Sequence, residues 1–195
     1  MGPSSAEPDL DVVERVLAGD VDAFDGIVRR WQGPLVNMAY RYCRDRGQAE
    51  EWAQEAFLKV YCNLGRWRRD SKFSTWLFAV AVNVYRSLAR RYRPPEVPIV
   101  DEHPLVGPID TALQVESGQR EEIARRAVSS LPAKYRDALV LFYFEELDVA
   151  EVGRVLALPA GTVKARLHRG RVQLEKRLRK ILGPGVKAGA AKEAT

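Results

Sequence analysis

The residues from Leu147 to Leu182 constrain this chain most, because they are patterned as two helices joined by a very short turn. Asp148 followed three residues later by Glu151 is a capping-box signature of a helix start. The apolar pattern breaks at 157–159, where Pro159 suits the first turn of a second helix because its missing N–H costs nothing there. A short helix, a tight turn and a longer helix form a helix-turn-helix, whose second helix can enter a DNA major groove.

The second helix of this pair is amphipathic and strongly basic. Its apolar positions alternate in steps of three and four: Val163, Leu167, Gly170, Leu174, Leu178 and Ile181. Off that seam stand Lys164, Arg166, Arg169 and Arg171, with Thr162 near the helix start. Between Pro159 and Leu182 the sequence contains eight Lys/Arg residues and a single acid, Glu175. The pattern favours a nucleic-acid contact; the alternative is a solvated charged face on an ordinary bundle helix.

The distribution of charge says more than the formal net charge of +5. A second basic run lies at 86–93, whereas residues 96–122 carry seven acids and one base. Two basic faces joined by an acidic connector suggest two contacts with a polyanion. No apolar run reaches the roughly 20 residues of a membrane span, and no signal peptide is visible. We therefore expect a cytoplasmic protein without membrane insertion, in which Cys43 and Cys62 are free thiols.

Helical periodicity runs through the whole chain, and no alternating strand pattern survives, so the fold class is all-α. We predict a helical bundle over residues 8–93, with a helix break at Gly33-Pro34 and a last helix from Phe73 to Arg91. Five prolines and the acids predict an extended Pro-rich linker over 94–118. A second, four-helix domain is expected over 119–182, followed by a flexible tail over 183–195.

A basic loop with aromatic residues leads into the last helix of the first bundle. Exposed rings can stack on unpaired bases while cations hold phosphates, as single-stranded nucleic acid requires. We predict that Trp67 is exposed and that Trp67 and Phe73 hold an unstacked base, with Ser71, Ser74 or Asn83 bonding its edge. The alternative is that the aromatic residues belong to the core, which we expect for Trp76.

An acidic cluster with a tryptophan occupies residues 50–55. No histidine lies nearby, so a protein-docking face is favoured over a catalytic or metal site, with a plain solvated face as the alternative. His103 lies in the predicted linker and His168 on the basic helix. No zinc spacing, nucleotide loop or nucleophile elbow is present, so we expect no enzyme, no metal and no cofactor.

Three motifs follow one another in the order QEAFLKVY (54–61), FSTWLFAVAVN (73–83) and PAGTVKARL (159–167). In this combination the chain resembles the extracytoplasmic-function (ECF) class of bacterial sigma factors, over roughly Asp20 to Arg179. The resemblance implies two domains that bind core RNA polymerase, through its β′ clamp helices and β flap, and direct it to promoters. It also implies an anti-sigma partner.

The resemblance assigns three sets of residues. The first domain would melt the minus-ten element and read its non-template strand with Trp67, Arg69, Ser71, Lys72, Phe73, Ser74, Asn83, Arg86 and Arg90. The helix-turn-helix would read the minus-thirty-five duplex with Arg154, Thr162, Lys164, Ala165, Arg166, His168, Arg169 and Arg171. The polymerase would be contacted by Glu51, Trp52, Gln54 and Glu55.

Some residues depart from the family pattern. Gln48 replaces a frequent acid, and Trp52 replaces a smaller aliphatic side chain. Ala157 occupies a turn position where glycine is common; in a left-handed conformation it carries a strain of about 1 kcal/mol. Two other functions stay open on the residues alone. One is a stand-alone helix-turn-helix regulator that never contacts polymerase, and the other is a helical protein-interaction adaptor.

Overall fold

The computed structural model describes residues 7–92, 123 and 127–182, and within them the chain is helical with no β-strand. The N-terminal bundle consists of α1 (Glu7–Leu17), α2 (Phe24–Cys43), α3 (Arg46–Asn63) and α4 (Phe73–Arg91). The C-terminal bundle contains α5 (Ala133–Tyr143), α6 (Val149–Leu156) and α7 (Ala160–Leu182). The predicted all-α class is confirmed. The predicted linker (94–118), with His103, and the tail (183–195) lie outside the described residues.

The N-terminal bundle is built around α2, α3 and α4, which pack against one another. Its centre is fully buried at Ile27, Leu35, Val60, Leu77 and Tyr85. Aspartates cap the starts of two helical segments in this bundle. The Asp20 carboxylate accepts the Ala23 N–H, and the Asp45 carboxylate accepts the Gln48 N–H. These are the side-chain caps that satisfy otherwise unpaired N–H groups at helix starts.

The predicted helix break at Gly33-Pro34 is wrong, because α2 runs through both residues. A proline inside a helix loses one backbone hydrogen bond and crowds the preceding turn. It also clashes with the Cβ of the residue before it, but Gly33 has no Cβ. The helix then keeps Trp31 and Leu35 buried on one side. The burial of these side chains offsets the backbone hydrogen bond lost at Pro34. The helix therefore continues through Gly33-Pro34, although this pair of residues is typical of a helix break.

The C-terminal bundle contains the predicted helix-turn-helix as α6 and α7. The capping box is present, with Asp148 accepting the Glu151 N–H at 2.7 Å and Glu151 accepting the Asp148 N–H at 3.0 Å. Ala157 ends α6 in the left-handed region (φ 54°, ψ 52°), which is the conformation in which a strain of about 1 kcal/mol is expected for alanine. The Leu158 N–H returns to the Gly153 carbonyl at 2.8 Å and the Ala157 N–H to the Arg154 carbonyl at 3.3 Å. This is a Schellman motif, and it sets the sharp turn.

Helix α7 is held by its apolar seam against α5. Val163, Leu167 and Gly170 are buried, whereas Leu174 is partly buried. A Cβ at Gly170 would lie 3.0 Å from Leu139 Cδ1, so the missing side chain allows the two helices to approach closely. The first helix predicted for this half is described only at residues 123 and 127–129, where it is helical.

The two bundles pack directly against each other through α4 and α6. Their buried apolar residues form one continuous cluster. Helix α4, which carries most of the second basic run, therefore packs on the first helix of the helix-turn-helix, while Arg90 and Arg91 stay exposed. None of the described helices has the length and hydropathy that a bilayer crossing requires.

Candidate nucleic-acid interface

The exposed surface of α7 and the end of α6 form a cationic stripe. Burial of Val163 and Leu167 fixes the rotation of α7, because neighbours one turn apart share a face. Arg154, Lys164, Ala165, His168 and Arg169 are exposed, and Thr162, Arg166 and Arg171 are partly exposed. We name these eight residues the recognition surface.

The recognition surface is available to an anion. Among the described residues, no acid forms an ion pair with Lys164, Arg166 or Arg169. The first described ion pair along α7 joins Arg179 to Glu175, about two turns further on. Unpaired cations on one helical face suit the closely spaced phosphates and base edges of duplex DNA.

The loop before α4 does not present its aromatic rings as predicted. Trp67 is only 9% exposed, and its ring meets Phe73 edge-to-face with centroids 5.2 Å apart. The Trp67 Nε1–H donates to the Ser71 carbonyl at 3.1 Å, which fixes the loop. Phe73 is fully buried. The prediction that Trp67 is exposed is therefore wrong, because two neighbouring rings gain more by covering each other than by facing water.

The polar groups of this loop remain near the surface. Lys72 is exposed, while Ser71 and Ser74 are partly buried. Arg69 adopts a left-handed conformation (φ 61°) and donates to Glu14 of α1 at 2.9 Å. Further along α4, Asn83, Arg86 and Arg90 follow one another at helical spacing, with Asn83 and Arg90 exposed. Trp76, expected in the core, is partly buried against it.

The acidic face of α3 is exposed at Glu51, Gln54 and Glu55. The same face continues to Leu58, which is 60% exposed and which the sequence interpretation missed. Its position one turn after Gln54 and Glu55 was the available signal. An exposed leucine beside acids is a reasonable protein-contact surface.

Trp52 does not belong to that exposed face. It is 4% exposed, stacks on Tyr85 with centroids 6.4 Å apart, and meets the edge of Tyr92 at 5.9 Å. The prediction of Trp52 as a surface contact is therefore corrected: the side chain is part of the core. It points to the opposite side of α3 from the exposed Gln54, since two residues place two side chains about 200° apart on a helix.

A polar cluster lies where the two bundles meet, and the sequence interpretation missed it. Tyr42 donates its hydroxyl proton to Asp137 at 2.8 Å, and Arg86 donates to the same carboxylate at 2.8 Å. Burial, followed by the charge of Asp137, raises the pKa of Tyr42 well above its usual range. Burial raises the pKa of Glu145 to about 7, an effect that the charge of Arg41 partly opposes. The sequence pattern of a single helix does not predict such contacts between helices.

Two known protein families match this chain, one in its N-terminal half and one in its C-terminal half. The family described as Sigma-70 region 2 matches residues 27–94, and the family described as Sigma-70, region 4 matches residues 121–174. No group of three or more potential metal ligands occurs among the residues that the structure describes.

Several curated proteins resemble this chain over nearly their full length. RNA polymerase sigma-H factor of Pseudomonas aeruginosa is 36% identical, covering 90% of this chain and 96% of the relative. ECF RNA polymerase sigma factor SigW of Bacillus subtilis is 35% identical over 87% and 96%. ECF RNA polymerase sigma-E factor of Escherichia coli K12 is 30% identical over 89% and 96%.

Solved structures show the same fold. One is CnrH in complex with the cytosolic domain of CnrY, with a TM-score of 0.67, 22% identity and coverage of 90% of this chain and 99% of that one. Another is the sigma factor RpoE in complex with the anti-sigma factor NepR from Bartonella quintana, with a TM-score of 0.61, 21% identity and coverage of 80% and 96%. By its two family matches and its near-full-length relatives, this chain belongs to the ECF sigma factors of RNA polymerase.

Proposed function

We propose that this chain binds core RNA polymerase and directs it to promoters with a two-part recognition element. The observation that carries the proposal is the cationic recognition surface on a helix-turn-helix, where Lys164, Arg166 and Arg169 form no ion pair with any acid that the structure describes, behind a bundle that matches sigma-70 region 2. In this assignment residues 8–93 form the first domain and 94–118 the linker. Residues 119–182 form the second domain, and 183–195 the tail.

The recognition surface is assigned to the minus-thirty-five duplex. Arg166, His168 and Arg169 reach base edges, while Arg154 and Thr162 hold phosphates at the helix start. A good bidentate contact to a base contributes about 1–3 kcal/mol of discrimination. Lys164 and Arg171 add sequence-independent affinity that weakens with salt.

The loop and α4 are assigned to the minus-ten element and its unpaired non-template strand. Lys72, Arg86, Arg90 and Arg69 supply cations, while Ser71, Ser74 and Asn83 supply hydrogen bonds. Trp67 and Phe73 shape the loop in the described state. They take a base only after the loop rearranges, because both rings are buried and packed edge-to-face against each other here.

The exposed acids and Leu58 of α3 are assigned to the β′ clamp helices of the polymerase, and the second domain to its β flap. Trp52 supports this face from the core. One structural neighbour is a complex with the anti-sigma factor NepR, and another is a complex with the cytosolic domain of CnrY. An anti-sigma partner is accordingly proposed for this chain, which would act in the cytoplasm where the polymerase is.

Run-off transcription with purified core polymerase and a library of promoter fragments tests this function. Discrete start sites that depend on the added chain support it, and their upstream sequences give both elements. A chain that neither associates with core polymerase nor produces starts contradicts it. A stand-alone duplex-binding regulator would then be the better description.

Variants of α7 test the assigned contacts. Arg169→Ala should reduce initiation from promoters that need the upstream element by about tenfold, which is the loss of roughly 1.4 kcal/mol. Lys180→Ala is the matched control, because it removes one exposed cation from the same helix three turns further on. Equal effects of both variants would refute the assignment of Arg169.

A further inference from the structure

Cations outnumber acids where the C-terminal end of α2 meets the start of α5. The guanidiniums of Arg44, Arg86 and Arg136 lie at this junction, and among the described residues Asp137 is the one acid that forms an ion pair with any of them. Tyr42 donates to Asp137 Oδ1 and Arg86 donates to Oδ2, each at 2.8 Å. Both oxygens of the one carboxylate are therefore in use, and three cations with one acid leave a surplus of two positive charges.

The Arg136 guanidinium is covered by protein but has no carboxylate at hydrogen-bonding distance. Its side chain is 12% exposed and stands 4.3 Å from the centre of the Tyr42 ring. Arg136 Nε lies 3.7 Å from Asp137 Oδ1, which is too long for a hydrogen bond, and this buried N–H makes none with the described residues. Because arginine keeps its proton in proteins, the positive charge and its donors stay in place.

Arg44 brings a second guanidinium close to Arg136 from the other bundle. It ends α2 in the left-handed region (φ 60°, ψ 18°), and its N–H returns to the Tyr40 carbonyl at 2.9 Å. Partial burial, and then the charge of Arg136, lower the pKa of Arg44, so the two guanidiniums are near enough to repel each other. The neighbouring Asp45 does not offset this repulsion, because its carboxylate accepts the Gln48 N–H at the start of α3.

The start of α5 adds positive potential of its own near Arg136. The first turn of α5 contains Lys134 and no acid, and Pro132 at the N-cap provides no side-chain hydrogen bond. The N–H groups at the start of a helix carry partial positive charge. Apart from Asp137, whose oxygens already accept hydrogen bonds, no acid of this helix start compensates the charge of Arg136.

A phosphate monoester complements this pair of arginines better than other common anions. Near neutral pH it carries a charge of about −1.5 to −2, which matches the surplus at the junction. Its oxygens accept two parallel N–H bonds from one planar guanidinium. A carboxylate, or a phosphodiester of a nucleic-acid backbone, carries a single charge. Since Arg44 is exposed and Arg136 is largely covered, the junction suits a small terminal phosphoryl group rather than a duplex.

We propose that Arg44 and Arg136 form a binding site for the phosphate monoester of a small molecule, such as a nucleoside monophosphate. Neither arginine belongs to the residues assigned to promoter DNA or to the polymerase, and binding requires neither of these partners. Because the two arginines come from different bundles, a bound phosphate links α2 to α5. It therefore stabilises the folded chain by an amount that grows with its concentration relative to the Kd.

Isothermal titration calorimetry with inorganic phosphate, on the full-length chain at fixed ionic strength, tests this site. Arg44→Gln removes the exposed cation and leaves the buried contacts of Arg136 in place. Arg46→Gln is the matched control, because Arg46 is exposed two residues further on and pairs with Glu50. Arg136→Lys keeps the charge but loses the planar guanidinium. Far-ultraviolet circular dichroism verifies that each variant keeps its helix content.

We expect saturable binding of one phosphate to the wild type. Arg44→Gln should weaken it by about tenfold or more, because a charge-assisted hydrogen bond is lost. Arg46→Gln should change it by less than about twofold, as for other exposed ion pairs. Phosphate should also raise the urea midpoint of the wild type and of Arg46→Gln more than that of Arg44→Gln. The rise that all three share is the general stabilising effect of phosphate as a salt.

Two competitors identify the kind of phosphate that binds. Adenosine 5′-monophosphate should compete with inorganic phosphate, whereas an oligothymidine without a terminal phosphate should not do so at the same phosphate concentration. The proposal is overturned if the wild type shows no saturable binding, or if Arg44→Gln and Arg46→Gln weaken binding equally. Equal competition by the oligothymidine also overturns it, since the site would then bind a nucleic-acid backbone.

The two proposals fail separately. Run-off transcription without discrete starts would contradict the proposed function and leave phosphate binding standing. Discrete starts from a chain that binds no phosphate would have the reverse meaning.

Discussion

Gly153 sits where the turn of the helix-turn-helix folds back on α6, and alanine does not fit there. A Cβ at this position would lie 2.8 Å from the Leu158 carbonyl oxygen, closer than real Cβ atoms come to such an atom. That oxygen belongs to the backbone of the turn, so it moves only if the turn moves. The Leu158 N–H is itself bonded to the Gly153 carbonyl, which ties the two residues together.

Two opposing terms set the effect of Gly153→Ala on stability. Alanine in a helix interior gains about 1 kcal/mol over glycine. Forcing an extra carbon into a packed site costs about 1–3 kcal/mol, and more when the neighbour is backbone. We expect the clash to win, with the free energy of unfolding lowered by about 1–2 kcal/mol. For a bundle of this size that is a fall of roughly 4–16 °C in melting temperature.

Gly161→Ala is the matched control, because it makes the same change at the start of α7 with nothing within 4 Å of the new Cβ. Urea unfolding followed by far-ultraviolet circular dichroism compares the two variants with the wild type. All four tryptophans lie in the N-terminal bundle, so their fluorescence reports that bundle separately. A Gly153→Ala midpoint equal to or above that of Gly161→Ala would refute the steric argument.

Three further outcomes are expected. Ala157→Gly should stabilise the chain by up to about 1 kcal/mol, because the left-handed conformation no longer strains a Cβ; a lower urea midpoint would contradict this. Glu145 has a pKa raised from 4.5 to about 7 by burial, so its ionisation lowers the free energy of unfolding. That penalty is absent below about pH 4.5, grows as the pH rises towards 7 and is complete above it. The free energy of unfolding should therefore fall between about pH 4.5 and pH 7, as urea unfolding at several pH values would measure, and E145Q should remove this dependence although Arg41 remains. Trp52→Ala should destabilise the N-terminal bundle by about 3–5 kcal/mol, as measured by thermal unfolding, whereas a surface role would leave the melting temperature unchanged.

Local features of this fold were predictable because their causes are local. The limits of α4, Phe73 and Arg91, follow from apolar spacing alone, and the capping box at Asp148 follows from two residues three apart. The left-handed conformation of Ala157 falls at the turn position where the family resemblance marks glycine as common. Each of these signals lies within a few residues of the structure that it determines.

The predictions that were wrong or missing concern side chains whose surroundings come from residues far away in the sequence. Trp52 was assigned to a surface because its neighbours in sequence are acids, yet its environment is supplied by Tyr85 and Tyr92 of another helix. The bond between Tyr42 and Asp137 joins residues 95 positions apart. No periodicity within either helix predicts such a pairing. The sequence therefore predicts the polar and basic residues of the site on α4, but not the residues of other helices that contact them.

The shared bonds of Asp137 also limit how far the two halves of this chain can be treated as interchangeable parts. A chimera that takes its second domain from another sigma factor inherits whatever residue stands at this position, while Tyr42 and Arg86 stay in the first. An apolar side chain there would leave a phenol and a guanidinium facing it, which costs more than the lost bonds alone. Residues 42, 86 and 137 should therefore be exchanged together when a domain of this chain is replaced by that of another sigma factor to change promoter specificity.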